Sequence, residues 1–195
     1  GDIIHVRTRR LCSGAICTDE NVWWRLAPDD MAFIVSLLGE PTSVAASQHS
    51  RMQMNVADFV YADLQFDRNL SAHIEVTWLD PDRSSRIDVF GTRGVASVEV
   101  ALPCPTLTLH RSRRGHVSGG IIPIIFAPPE ITHFPNIEPL EDELRAFFDF
   151  IGGGVRAVTD APHGVRTARA LAAVTRAGAF ASGAFSAPGS RQYVF

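Results

Sequence analysis

Leu70-Ser71-Ala72-His73-Ile74-Glu75-Val76-Thr77-Trp78-Leu79 alternates apolar and polar side chains along its length. A strand repeats every two residues, so Leu70, Ala72, Ile74, Val76 and Trp78 share one face, and Ser71, His73, Glu75, Thr77 and Leu79 share the other. The first face packs on helices and the second meets water or another subunit, as in an antiparallel sheet covered on one side. The same period continues around it. Candidate strands are Ser43–His49, Val56–Phe66, Ser84–Phe90, Val95–Val100 and Thr106–Leu109. Between them stand the turn signals Asp67-Arg68-Asn69, Asp80-Pro81-Asp82 and Gly91-Thr92-Arg93-Gly94. Connections this short favour antiparallel neighbours.

Further out, Ile3 to Arg10 is a β-branched run that reads as an opening strand with a basic tail. After a loop from Leu11 to Asn21, Pro28 with Asp29 and Asp30 starts a helix whose apolar stripe is Met31, Ile34, Val35 and Leu38, and Gly39 with Pro41 ends it. Residues 111–136, rich in Gly, Pro and Arg, read as an irregular excursion with weak order. A second helix starts at Pro139 and is expected to bury Leu140, Leu144, Phe147, Phe148 and Ile151 before Gly152-Gly153-Gly154 stops it. An alanine-rich helix from about Pro162 to Ser182 places Val165, Ala168, Leu171, Ala172, Thr175 and Ala179 at helical spacing, and the tail after Gly183 reads as extended. The order predicts one α+β domain over residues 1–195: an open, mainly antiparallel sheet with helices on one face.

Composition narrows the chemistry. The 195 residues are 46% hydrophobic and 20% charged, the balance of a folded domain with a sizeable core. All 18 basic residues are arginine, so Schiff-base chemistry and a P-loop lysine are excluded within this chain. A net charge of −3 gives no electrostatic reason to expect nucleic acid. Cys12, Cys17 and Cys104 are an odd number in a chain able to form its own core, which predicts buried thiols in a reducing compartment rather than a disulfide framework. No stretch has the apolar length of a membrane span or a signal peptide, so a cytoplasmic protein is expected. The chain begins at Gly1, from which an upstream segment is expected.

Other constellations carry little. His5, His49, His73, His110, His116, His133 and His163 show no metal-ligand spacing and read as surface or interface histidines, so no metal is expected. The run His110, Arg111, Arg113, Arg114, His116 is the one local basic cluster, able to hold a phosphate or an acidic partner, and reads first as a solvated loop. Trp23, Trp24 and Trp78 read as core or interface aromatics. No serine sits in a G-x-S-x-G nucleophile motif.

The ordered combination of motifs resembles the C-terminal domain of the Gfo/Idh/MocA oxidoreductases, the glucose-fructose oxidoreductase and inositol dehydrogenase family. The match runs from Gly1-Asp2-Ile3-Ile4-His5-Val6 through Trp24-Arg25-Leu26-Ala27-Pro28-Asp29-Asp30 with Leu37-Leu38-Gly39-Glu40-Pro41 and Val56-Ala57-Asp58-Phe59. It continues with Glu75 to Pro81, Arg86 to Gly94, Glu138 to Phe147 and the alanine-rich helix. The resemblance implies the fold shared with dihydrodipicolinate reductase and the C-terminal domain of glyceraldehyde-3-phosphate dehydrogenase. It also implies a parent enzyme whose separate Rossmann domain binds NAD or NADP and supplies a catalytic lysine. No G-x-G-x-x-G follows a strand here, so no cofactor is expected within this chain.

Family members acting on sugars and cyclitols carry an aspartate and, four residues later, a histidine at the start of the first helix. The matching positions are Arg25 and Asp29. Spacing of four on one helix lets them pair with each other or contact a substrate hydroxyl or phosphate. Arginine is no base at neutral pH, so the histidine's role is not inherited and no catalytic residue is assigned. The expected substrate wall is Trp24, Arg25, Asp29 and Asp30, with Arg9 and Arg10 nearby. The reading is the substrate-binding and oligomerising half of an NAD(P)-dependent oxidoreductase for a sugar, nucleotide sugar or cyclitol, inactive on its own. Its partners would be a small-molecule substrate and further copies docked through the open sheet face. The alternative is a stand-alone, non-catalytic dimerisation or ligand-binding domain.

Overall fold

A computed structural model describes residues 1–13, 16–52, 56–100, 105–134, 138–155 and 157–181. Cys104, the end of the last helix at Ser182 and the tail after Gly183 lie outside them. The strands are β1 (Ile3–Ser13), β2 (Ser43–His49), β3 (Phe59–Gln65), β4 (Ser71–Thr77), β5 (Leu79–Gly91), β6 (Gly94–Glu99), β7 (Thr106–Arg114), β8 (Ile124–Phe126) and β9 (Glu130–His133). The helices are α1 (Val22–Leu26), α2 (Pro28–Leu38), α3 (Pro139–Ile151) and α4 (Ala161–Ala181).

The strands form one open sheet in the order β2-β3-β4-β1-β5-β6-β7, with β8 and β9 pairing different halves of the outer edge of β7. The pairs are antiparallel except β1 with β4, which run parallel. The opening strand therefore lies between β4 and β5, although only Trp78 separates those two in sequence. The chain passes over the C-terminal end of β1, where Leu11 faces Thr77 on one side and Ser84 on the other, and Ser13 faces Leu79. The register slip between Ser84 and Leu79 ejects the Asp80-Pro81-Asp82 stretch from the ladder. The expected turn is thus an irregularity inside one long strand, with the Asp82 N–H donating to Asp80 Oδ1 at 2.9 Å.

One face of the sheet is the core. Val6, Val60, Leu64, Ile74 and Val76 from the strands meet Trp23, Met31, Ile34 and Val174 from the helices, all fully buried. Each such side chain stabilises the fold by roughly 1.5–3 kcal/mol. Trp23 also donates its indole N–H to the Leu171 carbonyl at 3.1 Å, fastening α1 to α4. The stripe of α2 is as expected, with Met31, Ile34 and Val35 buried and Leu38 packed at the margin.

The buried face of α4 is rotated from the expected one. Val165 and Ala168 are exposed, whereas His163, Thr167, Ala170, Leu171 and Val174 are buried. Polar groups with partners set this face: His163 Nε2 donates to the Ala32 carbonyl at 3.0 Å and Thr167 Oγ1 to the His163 carbonyl at 3.0 Å. Gly178 permits the close approach, since a Cβ there would run into the side chain of Gln48 on β2.

Two further expectations are corrected. Residues 111–134 are irregular only in part, because β7 runs on to Arg114 and is flanked by the short strands β8 and β9. The prolines that suggested a loop separate two short edge strands, at positions where no ladder donor is needed. The α3 stripe is not buried either: Leu140, Leu144, Phe147, Phe148 and Ile151 are 48–68% exposed. Among the described residues, α3 packs extensively on neither the sheet nor another helix. No helix among the described residues is long and apolar enough to cross a membrane.

Asp58 fixes the loop that precedes β3. It is fully buried, accepts the backbone N–H groups of Arg51 and Met52 on Oδ2 at 2.6 and 2.8 Å, and accepts the Trp78 indole on Oδ1 at 2.7 Å. Burial pushes its carboxyl up, but these donors outweigh burial and hold it below the ordinary value of 3.8. In acid the unfolded chain therefore takes up the proton first, and the stability this carboxylate contributes at neutral pH is lost as the pH falls through its folded value. Asp58→Asn should lower stability at pH 7 by about 1–3 kcal/mol and flatten its dependence below pH ~4, as measured by urea unfolding across pH. Gly94, at φ +155°, would drive a Cβ into the His110 carbonyl. Gly94→Ala should therefore cost more than about 1 kcal/mol in the same measurement.

Candidate functional site

Successive side chains of β1 point to opposite faces of the sheet, which divides the expected site. Arg10 lies on the helix side and reaches the head of α2. Its Nη2 donates to Asp30 Oδ1 at 2.6 Å and its Nη1 to Asp29 Oδ2 at 3.3 Å. Arg9 lies on the open face, where its Nε donates to Glu75 Oε2 at 3.0 Å, so it is no part of the same site.

Pro28 opens α2, and both aspartates stand in its first turn, where a negative charge complements the helix dipole. Their surroundings differ sharply. The Asp29 side chain is 81% exposed and that of Asp30 is 2% exposed. Burial outweighs the Arg10 hydrogen bond at Asp30 and pushes its carboxyl above the ordinary range. Three buried polar atoms at this point, Thr8 Oγ1, Arg10 Nε and Asp30 Oδ2, have no hydrogen-bond partner among the described residues.

Arg25 and Asp29 do not pair. A break at Ala27 puts them on two helices, and Arg25 reaches Glu20 at 3.7 Å instead. Trp24 is partly exposed on α1, whose start is capped by Asn21 Oδ1 accepting the Trp24 N–H at 3.2 Å. The head of α2 thus offers an exposed carboxylate and a fixed guanidinium, and α1 just before it carries an exposed indole and a second arginine. These groups can accept from hydroxyls, hold an anionic oxygen and stack on a ring face. None is a ready proton acceptor of the kind a histidine would be.

Sequence reading missed a second cluster, on the open face. Asp88, 2% exposed, accepts from Arg7 Nη2 at 2.6 Å and Nε at 3.2 Å, from Arg86 Nε at 2.9 Å and from Ser97 Oγ at 2.6 Å. Burial raises its carboxyl, but these donors dominate and hold it below the usual carboxylate range. The Arg7 guanidinium also lies 5.4 Å from the centre of the Phe90 ring. The only sequence signal was that each of these residues occupies a polar-face position on its own strand. Which of them meet depends on the register Arg7 to Asp88 to Ser97 across β1, β5 and β6.

The glycines do not build a dinucleotide cradle. Gly119 and Gly120 sit in the bridge-closed turn between Ser118 and Ile121, and Gly152 to Gly154 follow a helix, so neither cluster joins a strand to a helix N-terminus.

Known structures share this architecture. UDP-N-acetylglucosamine 3-dehydrogenase GnnA from Acidithiobacillus ferrooxidans is 21% identical and superposes with a TM-score of 0.76 over 93% of this chain and 55% of its own. KijD10, a 3-ketoreductase from Actinomadura kijaniata solved with NADP, is 13% identical with a TM-score of 0.71 over 91% of this chain and 52% of its own. The chain thus spans about half the length of these relatives. No curated protein matches it in sequence. The GFO/IDH/MocA C-terminal domain model matches residues 2–97, the part that runs from β1 into β6 and contains both clusters, and over those residues this chain belongs to that family.

Proposed function

We propose that this chain is the substrate-binding half of an NAD(P)-dependent oxidoreductase acting on a sugar, nucleotide sugar or cyclitol. The observation that carries the reading is Arg10 held between buried Asp30 and exposed Asp29 at the head of α2, with Trp24 and Arg25 on the short helix that precedes it. Asp29 accepts from a sugar hydroxyl, Trp24 stacks on the ring, Arg10 fixes the two aspartates, and Arg25 holds a phosphate oxygen where the substrate has one. The residues present do not fit the dinucleotide, so the hydride carrier would be bound by other residues, and this half contributes position and charge. The family match over residues 2–97 and the fold shared with a 3-dehydrogenase and a 3-ketoreductase support the reading.

The same reading gives the open sheet face to self-association. It is half-buried and charge-laced, with His73 Nδ1 2.8 Å from Asp63 Oδ1 and Arg9 paired to Glu75, and two copies can share such pairs across an isologous interface.

Two measurements test the proposal. In the protein at its natural length, NAD(P)-dependent turnover should be found with nucleotide sugars or free polyols, and Asp29→Ala or Trp24→Ala should raise KM about tenfold or more with a smaller change in kcat. Absence of NAD(P) binding by calorimetry would leave the stand-alone ligand-binding domain as the better reading, favoured by the lack of a proton acceptor beside Asp29. Light scattering after gel filtration should give a dimer or larger species that Arg9→Glu converts to monomer. A wild-type chain that stays monomeric at every concentration would remove the self-association part.

A further inference from the structure

We propose that the Arg7–Asp88–Arg86 cluster is the floor of a binding site for a small organic anion, a carboxylate or phosphate monoester attached to a flat apolar body. This inference goes beyond the oxidoreductase reading, and it rests on self-association using the β3–β4 side of the open face, where His73, Asp63 and Glu75 lie, with Arg7, Arg86 and Asp88 on the β5–β6 side left uncovered. Two guanidiniums converge on one buried carboxylate, so one positive charge is left unbalanced. Each arginine is fixed through its other nitrogens. Arg7 uses Nε and Nη2 on Asp88, and Arg86 uses Nε on Asp88 and Nη2 on Ser97 Oγ at 3.2 Å. Among the described residues, neither Nη1 has a hydrogen-bond partner. Both side chains are nearly half exposed, at 45% and 46%.

A cavity of about 300 Å³ opens over this floor, walled by Phe90, Val95 and Phe126 with His110 at its edge. Its size admits a phosphate or carboxylate head with one ring attached, and it is an open hollow with Phe90, Val95 and Phe126 on its apolar side and fixed polar groups on the other. A second cavity of about 290 Å³ shares Arg86, Ser97 and His110 but brings in Glu99, whose Oε1 accepts the Ser85 N–H at 3.2 Å. That carboxylate repels an anion, so the charged head belongs in the first cavity, between the two free Nη1 groups. The ring then lies against Phe90 and Phe126. Fixed guanidiniums recognise oxyanions with little ordering cost, because Asp88 and Ser97 have already set their geometry.

The test is calorimetric titration of the full chain at low ionic strength with phenyl phosphate, benzoate and inorganic phosphate, at concentrations where light scattering shows a single species. Saturable binding of phenyl phosphate or benzoate is expected, with inorganic phosphate weaker, and the order of the two organic probes distinguishes a phosphate ester from a carboxylate as the ligand class. Arg7→Lys keeps the charge but loses the fork and should weaken the better organic probe about tenfold. Phe126→Ala, on an exposed edge strand, should weaken the organic probes and leave inorganic phosphate unchanged. It keeps the test decisive if Arg7→Lys fails to fold. No saturable binding of either organic probe, or equal affinities in the wild type and both variants, would overturn the proposal.

Discussion

The first strand holds the centre of this fold. β1 is the partner of β4 on one side and of β5 on the other, and every other pairing is built outward from those two ladders. Its even-numbered residues face the helices: Val6 and Thr8 are fully buried and Arg10 ends at the head of α2. Between the register shifts near its ends, the odd-numbered residues His5, Arg7 and Arg9 face the open side, where Arg7 meets Asp88 and Arg9 meets Glu75. A strand with both faces committed cannot slip by one residue without putting arginine into the core and valine into the charge network. Both candidate sites are consequences of that fixed register.

The crossing over β1 needs its own support, because β4 and β5 are a whole strand apart and no ladder between them holds their junction. Trp78 provides it. The residue stands at the only step between β4 and β5, packs into the core and donates its indole N–H to Asp58. Asp58 in turn ties down the segment leading to β3 through two backbone N–H groups. One buried carboxylate thus joins the loop before β3 to the crossover after β4. On the open face Asp88 has a comparable position, but its donors are side chains reaching in from both sides. That difference leaves guanidinium edges available for a ligand.

Stability and exposure are unevenly distributed. The half of the sheet from β2 to β5 is backed by α1, α2 and α4, whereas β7 to β9 and α3 carry apolar side chains in the open, among them Ile124, Phe126, Leu140 and Phe148. An amphipathic helix with an uncovered stripe gains little from packing, so α3 owes its form to local terms: Pro139 at its start, Glu141 and Asp142 in the first turn, and the Arg145 to Glu141 pair at 2.7 Å. Edge strands β8 and β9 are kept short by Pro123, Pro128 and Pro129, which limits the pairing that an exposed sheet edge invites.

Local rules sufficed wherever an element's form follows from its own residues. The two-residue alternation of Leu70 to Leu79, Pro28 with two aspartates opening α2, Gly39 closing it and the turn at Gly91 to Gly94 all appear where the sequence puts them, because propensity, capping and period act within a few residues. The sequence also decided the layer design and which face of β4 is apolar. Tertiary structure alone decided what lies between elements. It inserted β1 between consecutive strands, rotated α4 so that His163 and Thr167 face inward, and left the stripe of α3 uncovered. It broke the expected Arg25–Asp29 pair by ending a helix at Ala27, and sent Arg9 and Arg10 to opposite faces with different carboxylates. The Asp88 cluster shows the reason most directly: its members come from three strands, and the distances among them depend on cross-strand register, a long-range quantity that no single stretch of residues encodes.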